Sequence, residues 1–138
     1  AAEMEILDVY EKRWEREELE PILDTATFAS MTRIADRVYL GTRVKEYLVA
    51  LAGASRNRSD VRIGVSPRGT LALAGAAKVW AAANGRHFVA PDDVRLLAPH
   101  VLPHRIVLTP EAELQGLTSS AVVREILQAT PVDETDRG

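Results

Sequence analysis

Cysteine is absent from the 138 residues. That excludes disulfides and thiol chemistry, and it fits the cytoplasm. No apolar run reaches the ~20 residues that a membrane-spanning helix needs. A basic amino-terminal segment is missing too: the chain opens Ala1-Ala2-Glu3-Met4-Glu5, with no visible secretory signal. An initiating methionine is lacking, and the first residue already lies in a helical pattern. The sequence therefore reads as a processed chain or a piece cut from a longer one. Basic charge is not in excess. The net charge is −3, which argues against a general nucleic-acid binder. Aromatic residues make up only 5%. Of these, Trp14 and Trp80 fall on apolar faces and read as core, while Tyr39 and Tyr47 read as core or as the lining of a ligand cleft.

What remains is an ordinary globular composition, 46% hydrophobic, long enough for one domain with a modest core. The chain is organised around Gly64-Val65-Ser66-Pro67-Arg68-Gly69-Thr70-Leu71 and the alanine-rich run behind it. Leu71 to Ala83 carries one charge, Lys78. Leu71, Gly75, Val79 and Ala82 share one helical face, and Leu73, Ala76, Ala77 and Trp80 share another. A helix apolar nearly all round is expected to be buried. Ser66 suits the N-cap and Pro67 the first helical position, where its missing N–H was unpaired anyway. Asn84-Gly85 ends the run, Gly85 tolerating the left-handed turn. Arg68 is the odd residue. It puts a positive charge where the helix dipole is already positive, unfavourable by about 0.3–1 kcal/mol. Either an anion sits there, since helix starts offer free N–H groups, or Arg68 points into water or pairs with a nearby acid.

Along the rest of the chain, Met4, Leu7, Tyr10 and Trp14 predict a first helix over residues 3–17. Pro21 and Ile22-Leu23 form a link. Asp24 or Thr25 caps a second helix with Phe28, Met31, Ile34 and Ala35 on one face. Val38-Tyr39-Leu40 is extended. Thr42 caps a third helix over 43–55, its stripe Val44, Tyr47, Leu48 and Leu51. Ser55 to Gly64 reads as a polar loop whose Arg56, Arg58 and Arg62 either surround an anion beside Arg68 or face water. Arg86-His87-Phe88-Val89 is β-prone. Pro91-Asp92-Asp93 opens a helix with Val94, Leu97, Ala98 and Val101 inward and Pro103 ending it. His104 to Leu108 is again β-prone and is expected to pair with Arg86 to Val89. Thr109-Pro110-Glu111 starts a short helix. Thr118 or Ser119 caps a last one, with Val122, Val123, Ile126 and Leu127 inward. The class is mainly α, a helical bundle with a minor two-stranded β ribbon. Residues 1–130 form the domain, and 131–138 a polar tail.

No complete catalytic site stands out. Gly64 to Gly69-Thr70 has the glycines of a phosphate loop but lacks the lysine, and Pro67 removes an amide. His100 and His104 have helical spacing, yet Pro103 breaks the helix between them, and His87 is alone, so no metal site is expected. Asp92-Asp93 reads as a helix-start pair.

Taken together, three stretches resemble a family. They are Gly64-Val65-Ser66-Pro67-Arg68, then Asn84-Gly85-Arg86-His87-Phe88-Val89-Ala90-Pro91-Asp92-Asp93-Val94, and Leu97 to Arg105. With Leu19-Glu20-Pro21-Ile22-Leu23 before them and Leu114 to Val132 after, they are similar to the C-terminal lid of MoxR-type AAA+ ATPases over nearly the whole chain. The usual motif has alanine before the serine and after the arginine, where this chain has Val65 and Gly69.

The resemblance implies that Arg68 is the sensor 2 arginine, reaching with Ser66 and Pro67 to the γ-phosphate of ATP held by a core domain. It implies ATP and Mg2+ as ligands of that core, which would supply the lysine loop, the magnesium-binding acids and the arginine finger. It further implies an ATP-hydrolysing, often hexameric homo-oligomeric ring with chaperone-like activity on partners, commonly von Willebrand A domain proteins. The present residues alone would be inactive. No nucleic acid and no membrane span are expected. The alternative is a freestanding, non-catalytic helical interaction module with the same fold.

Overall fold

The computed structural model describes residues 2–11 and 20–132. In chain order these form α1 (Ala2–Glu11), α2 (Thr25–Asp36), α3 (Thr42–Arg56), β1 (Val61–Ile63), α4 (Pro67–Ala83) and α5 (Pro91–Val101). A 3-10 turn (Pro103–Arg105), β2 (Val107–Leu108), α6 (Pro110–Leu114) and α7 (Ser119–Ala129) follow. Among the described residues the class is the expected one, helical with a two-stranded antiparallel sheet.

The helix starts follow from local chemistry. Asp24 accepts the Thr27 N–H at 2.6 Å, Ser66 that of Gly69 at 3.2 Å, Thr109 that of Ala112 at 3.3 Å, and Thr118 that of Ala121 at 3.2 Å. Each such cap satisfies a donor the helix cannot. Proline opens α4, α5 and α6, where it loses no hydrogen bond. Thr42 does not cap α3. Gly41 holds that position without a side-chain bond, and Thr42 is the first helical residue.

Two compact units divide the chain, Ala1–Ser30 and Met31–Gly138. In the first, Met4, Leu7 and Tyr10 on α1 are exposed. The expected continuation of that helix to residue 17, with Trp14, and the tail beyond Val132 lie outside the described residues. In the second, a core forms from α3, α4, α5 and α7, with Leu51, Leu73, Val94, Val122 and Val123 fully buried. Ala77 and Ala81 are completely enclosed, and their small size lets α4 lie close on α5, its most extensive neighbour.

Burial differs from the pattern-based expectation on two helices. The face of α2 that carries Phe28, Met31 and Ile34 is exposed, and only Ala35 is buried. In α4 only the Gly69, Leu73, Ala77 and Ala81 stripe is buried. Leu71 is 72% exposed, Val79 57% and Trp80 41%, so Trp80 is not core. Periodicity reports which faces are apolar, not which of them have a neighbour. Tyr47 is buried as expected, whereas Tyr39 is exposed.

Strand pairing also differs. β2 pairs antiparallel with β1, Val61 opposite Leu108 and Ile63 opposite Val107. The segment Arg86 to Val89 instead meets Val38 to Leu40 through a parallel bridge of Tyr39 with Phe88, with Tyr39 N–H to His87 O at 2.8 Å and Val89 N–H to Tyr39 O at 3.0 Å. The stretch read as a polar loop thus contains a strand. The alternation of apolar Val61 and Ile63 around Arg62 was its one signal, too short to separate from loop.

The loop before β1 is held by charge. Arg58 Nε donates to Asp60 at 2.8 Å, and its Nη2 donates to Asp60 at 2.6 Å and to Glu125 of α7 at 2.8 Å. The hydrogen bond from Arg58 holds the Asp60 carboxyl below its ordinary value. A lowered carboxyl pKa stabilises the fold above the unfolded-state value and ceases to do so as pH falls through the folded-state one. Replacement of Asp60 by alanine is therefore expected to cost about 1 kcal/mol at pH 7. The difference from wild type should close as pH drops through and below the ordinary aspartate range. Urea unfolding of both proteins at a series of pH values from 7 down to 2 checks this, and a gap that does not narrow toward the acid end refutes it.

Candidate functional site

The site is built at the start of α4, and its position is set by the end of α3. Ser55, 1% exposed, donates its hydroxyl to Ala52 O at 2.7 Å and accepts the Val65 N–H at 2.8 Å. Gly64 lies against the backbone of Arg56; a Cβ on Gly64 would come within 2.8 Å of Arg56 N and Cα. No other residue allows that approach. Val65 is buried, and Ser66 and Pro67 then begin the helix at the surface.

The backbone donors of the first turn can be accounted for one by one. Pro67 has none. The Gly69 N–H goes to Ser66 Oγ and the Thr70 N–H to Ser66 O at 3.0 Å. This leaves the Arg68 N–H as the free donor of that turn. The Arg68 side chain is exposed, and among the described residues it makes no hydrogen bond or ion pair. Of the possibilities left open by the sequence, pairing with a nearby acid does not occur among the described residues, and the side chain points into solvent. A cation and one N–H face outward from a helix N-terminus, an arrangement suited to an anion. Beside it an apolar cleft of about 340 Å³ is lined by Val49, Ala52, Arg56, Pro67, Thr70 and Leu71.

The loop arginines do not act together. Arg56 is brought to this cleft, Arg58 is neutralised by Asp60 and Glu125, and Arg62 is exposed on β1. The helix-start aspartates also part. Asp92 is exposed, while Asp93 is buried and accepts from both Nη atoms of Arg86, at 2.7 and 2.6 Å, and from the Ala90 N–H at 2.8 Å. That clamp, missed from sequence, explains the Arg86 to Asp93 spacing as architecture. No group of three or more His, Asp or Glu side chains able to hold a metal exists among the described residues.

Arg105 was also not singled out. Its Cδ is 3.3 Å from the position a Cβ on Gly69 would take, and Val65 Cγ1 is 2.9 Å from it. Gly69 and Val65 are therefore complementary: the larger residue occupies the space that the missing Cβ leaves. Gly69→Ala is expected to destabilise the fold by about 1–2 kcal/mol through overpacking against a stiff valine, despite alanine's better helix propensity. In the Val65→Ala background the same change should be neutral or stabilising. A double-mutant cycle by chemical unfolding measures the coupling, expected to be at least about 0.5 kcal/mol. Additive effects would contradict this packing account.

Comparison with known proteins agrees with the fold. Residues 53–126 match the AAA lid domain family. YeaC of Bacillus subtilis, an uncharacterized protein, is 40% identical over 130 residues, 94% of this chain and 41% of its own length. Chaperone MoxR1 of Mycobacterium tuberculosis is 30% identical over 83% of this chain and 33% of its own. Protein MoxR of Methylorubrum extorquens is 35% identical over 59% of this chain and 22% of its own. The chain thus spans less than half the length of these relatives. A crystal structure from Cytophaga hutchinsonii, of a protein assigned as an ATPase, superposes with TM-score 0.68 at 21% identity over 83% of this chain and 45% of its own, a likeness of fold. Since the matched stretch runs from the last turn of α3 to α7 and takes in both the Ser66-Pro67-Arg68 start and the Arg86–Asp93 clamp, the chain belongs to the AAA lid domain family, with MoxR proteins among its relatives.

Proposed function

We propose that this chain is the lid of a MoxR-like AAA+ ATPase and that Arg68 reads the terminal phosphate of ATP. The observation that carries the reading is the outward-facing, unpaired Arg68 at the start of α4. Ser66 caps the helix, Pro67 fixes its first turn, and the Ser55 bond to Val65 N–H holds both in place. An arginine so mounted approaches a phosphate when the lid closes. It stabilises charge that builds up as the phosphoryl group transfers, and it loses its partner when the phosphate leaves.

In this reading ATP and Mg2+ are held by a core domain of the same protein, and the 138 residues alone do not hydrolyse ATP. The intact protein works in the cytoplasm as a homo-oligomeric ring that remodels partner proteins, von Willebrand A domain proteins among them. The greater length of the matched relatives supports a lid over a freestanding interaction module.

ATP turnover by the protein containing both core and lid tests the reading. Arg68→Ala is expected to lower turnover roughly 100-fold, in line with loss of one preorganised donor to the reacting group, while ATP affinity changes by less than about tenfold. Unchanged turnover would mean that Arg68 is only a surface charge.

A further inference from the structure

Arg105 ends the 3-10 turn and immediately precedes Ile106 and β2. The pairing of β2 with β1 carries it back to the start of α4. Its aliphatic arm runs past Gly69, whose missing side chain makes room for it. The Nε atom is shielded from solvent and donates to nothing, and among the described residues the side chain has no hydrogen bond or ion pair. The residue as a whole is half-buried, so its guanidinium is not sealed inside.

A cation with a shielded, unsatisfied donor is costly to keep. The two other arginines of this unit that are drawn against the fold, Arg58 and Arg86, each hold a carboxylate in two-point contact. Arg105 lacks such an anion, yet it lies beside the one helix start where a second unpaired arginine faces outward.

We infer that Arg105 is a second phosphate-binding arginine, completing with Arg68 a two-arginine grip on the terminal phosphate of a bound nucleoside triphosphate. The inference rests on the lid reading. Arg68 contacts the phosphate from the exposed side of the first turn, and Arg105 reaches it along Gly69. With a single free backbone N–H in that turn, the anion depends on side-chain donors, and guanidinium groups are the side chains that grip phosphate at two points.

The test uses the protein containing core and lid, with Arg105→Met, Arg105→Lys and Arg68→Ala made separately. ATP and ADP affinities are measured with Mg2+, and thermal unfolding is followed without nucleotide. Arg105→Met is expected to weaken ATP about tenfold, the effect of one charge-assisted hydrogen bond, and to leave ADP nearly unchanged. Its nucleotide-free Tm should be equal to or above that of wild type, because an apolar side chain replaces an unpaired charge. Arg105→Lys, which keeps the charge without the Nε donor, should recover only part of the ATP affinity.

Equal weakening of ATP and ADP overturns the terminal-phosphate assignment. A lowered nucleotide-free Tm with unchanged ATP-to-ADP preference overturns it in favour of a packing role. If Arg68→Ala abolishes turnover while the Arg105 variants bind ATP as wild type does, the lid reading stands and the inference about Arg105 falls. If neither arginine affects nucleotide binding or turnover, the phosphate-reading role of Arg68 fails with it.

Discussion

The hydroxyl of Ser55 is the point on which the site depends. It accepts the Val65 N–H and donates to Ala52 O within a region shut off from water. Without it the Val65 N–H would be buried and unpaired, at a cost of about 1–3 kcal/mol. The bond joins the last turn of α3 to the residue before the N-cap of α4. The close approach of Gly64 to the Arg56 backbone tightens the same junction. A chain held at Gly64 and Val65 has little freedom left at Ser66 and Pro67, so the direction in which Arg68 leaves the helix follows from an internal hydrogen bond two elements away.

The ribbon supports this junction from the other side. β1 leads into Gly64, and its partner β2 follows Arg105. Pairing the two strands therefore brings the 3-10 turn to the base of α4. On the far end of the same helix the Arg86–Asp93 clamp closes the connection from α4 to α5. Gly85, at φ 70°, provides the left-handed residue that turns the chain there. One helix is thus fixed at both ends by buried or half-buried polar contacts, and along its length by an alanine stripe.

Features that depend on near neighbours in sequence were legible. Ser66-Pro67 as a helix start, Gly85 as a stop, Thr118 as a cap and the Val122, Val123, Ile126, Leu127 stripe all appear where local pattern puts them. Features that depend on distant partners were not. Val61 to Ile63 and Val107-Leu108 are too short for alternation to identify their pairing. The four residues Arg86 to Val89 looked equally extended but found Val38 to Leu40 instead. Arg86 and Asp93 are seven residues apart with a turn between them, so no helical or strand spacing links them. Arg105 gained its interest only from Gly69, 36 positions earlier. The apolar character of Leu71, Val79, Phe28 and Ile34 was plain, but what covers an apolar face is a property of its neighbours and not of its spacing.

Where the resembled motif has two alanines, this chain has Val65 and Gly69, a larger and a smaller residue packed together. Val65 Cγ1 stands 2.9 Å from where a Cβ on Gly69 would lie, so the added volume at one position fills what is absent at the other. The serine, proline and arginine between them each have a separate part in the helix start. Ser66 accepts the Gly69 N–H, Pro67, which opens the helix, holds φ near −65°, and Arg68 carries its charge against a dipole that opposes it by about 0.3–1 kcal/mol. That opposition vanishes when an anion arrives, because the same dipole and the same arginine then attract it together. A helix start that is slightly unfavourable when empty and favourable when occupied is a helix start suited to respond to a phosphate.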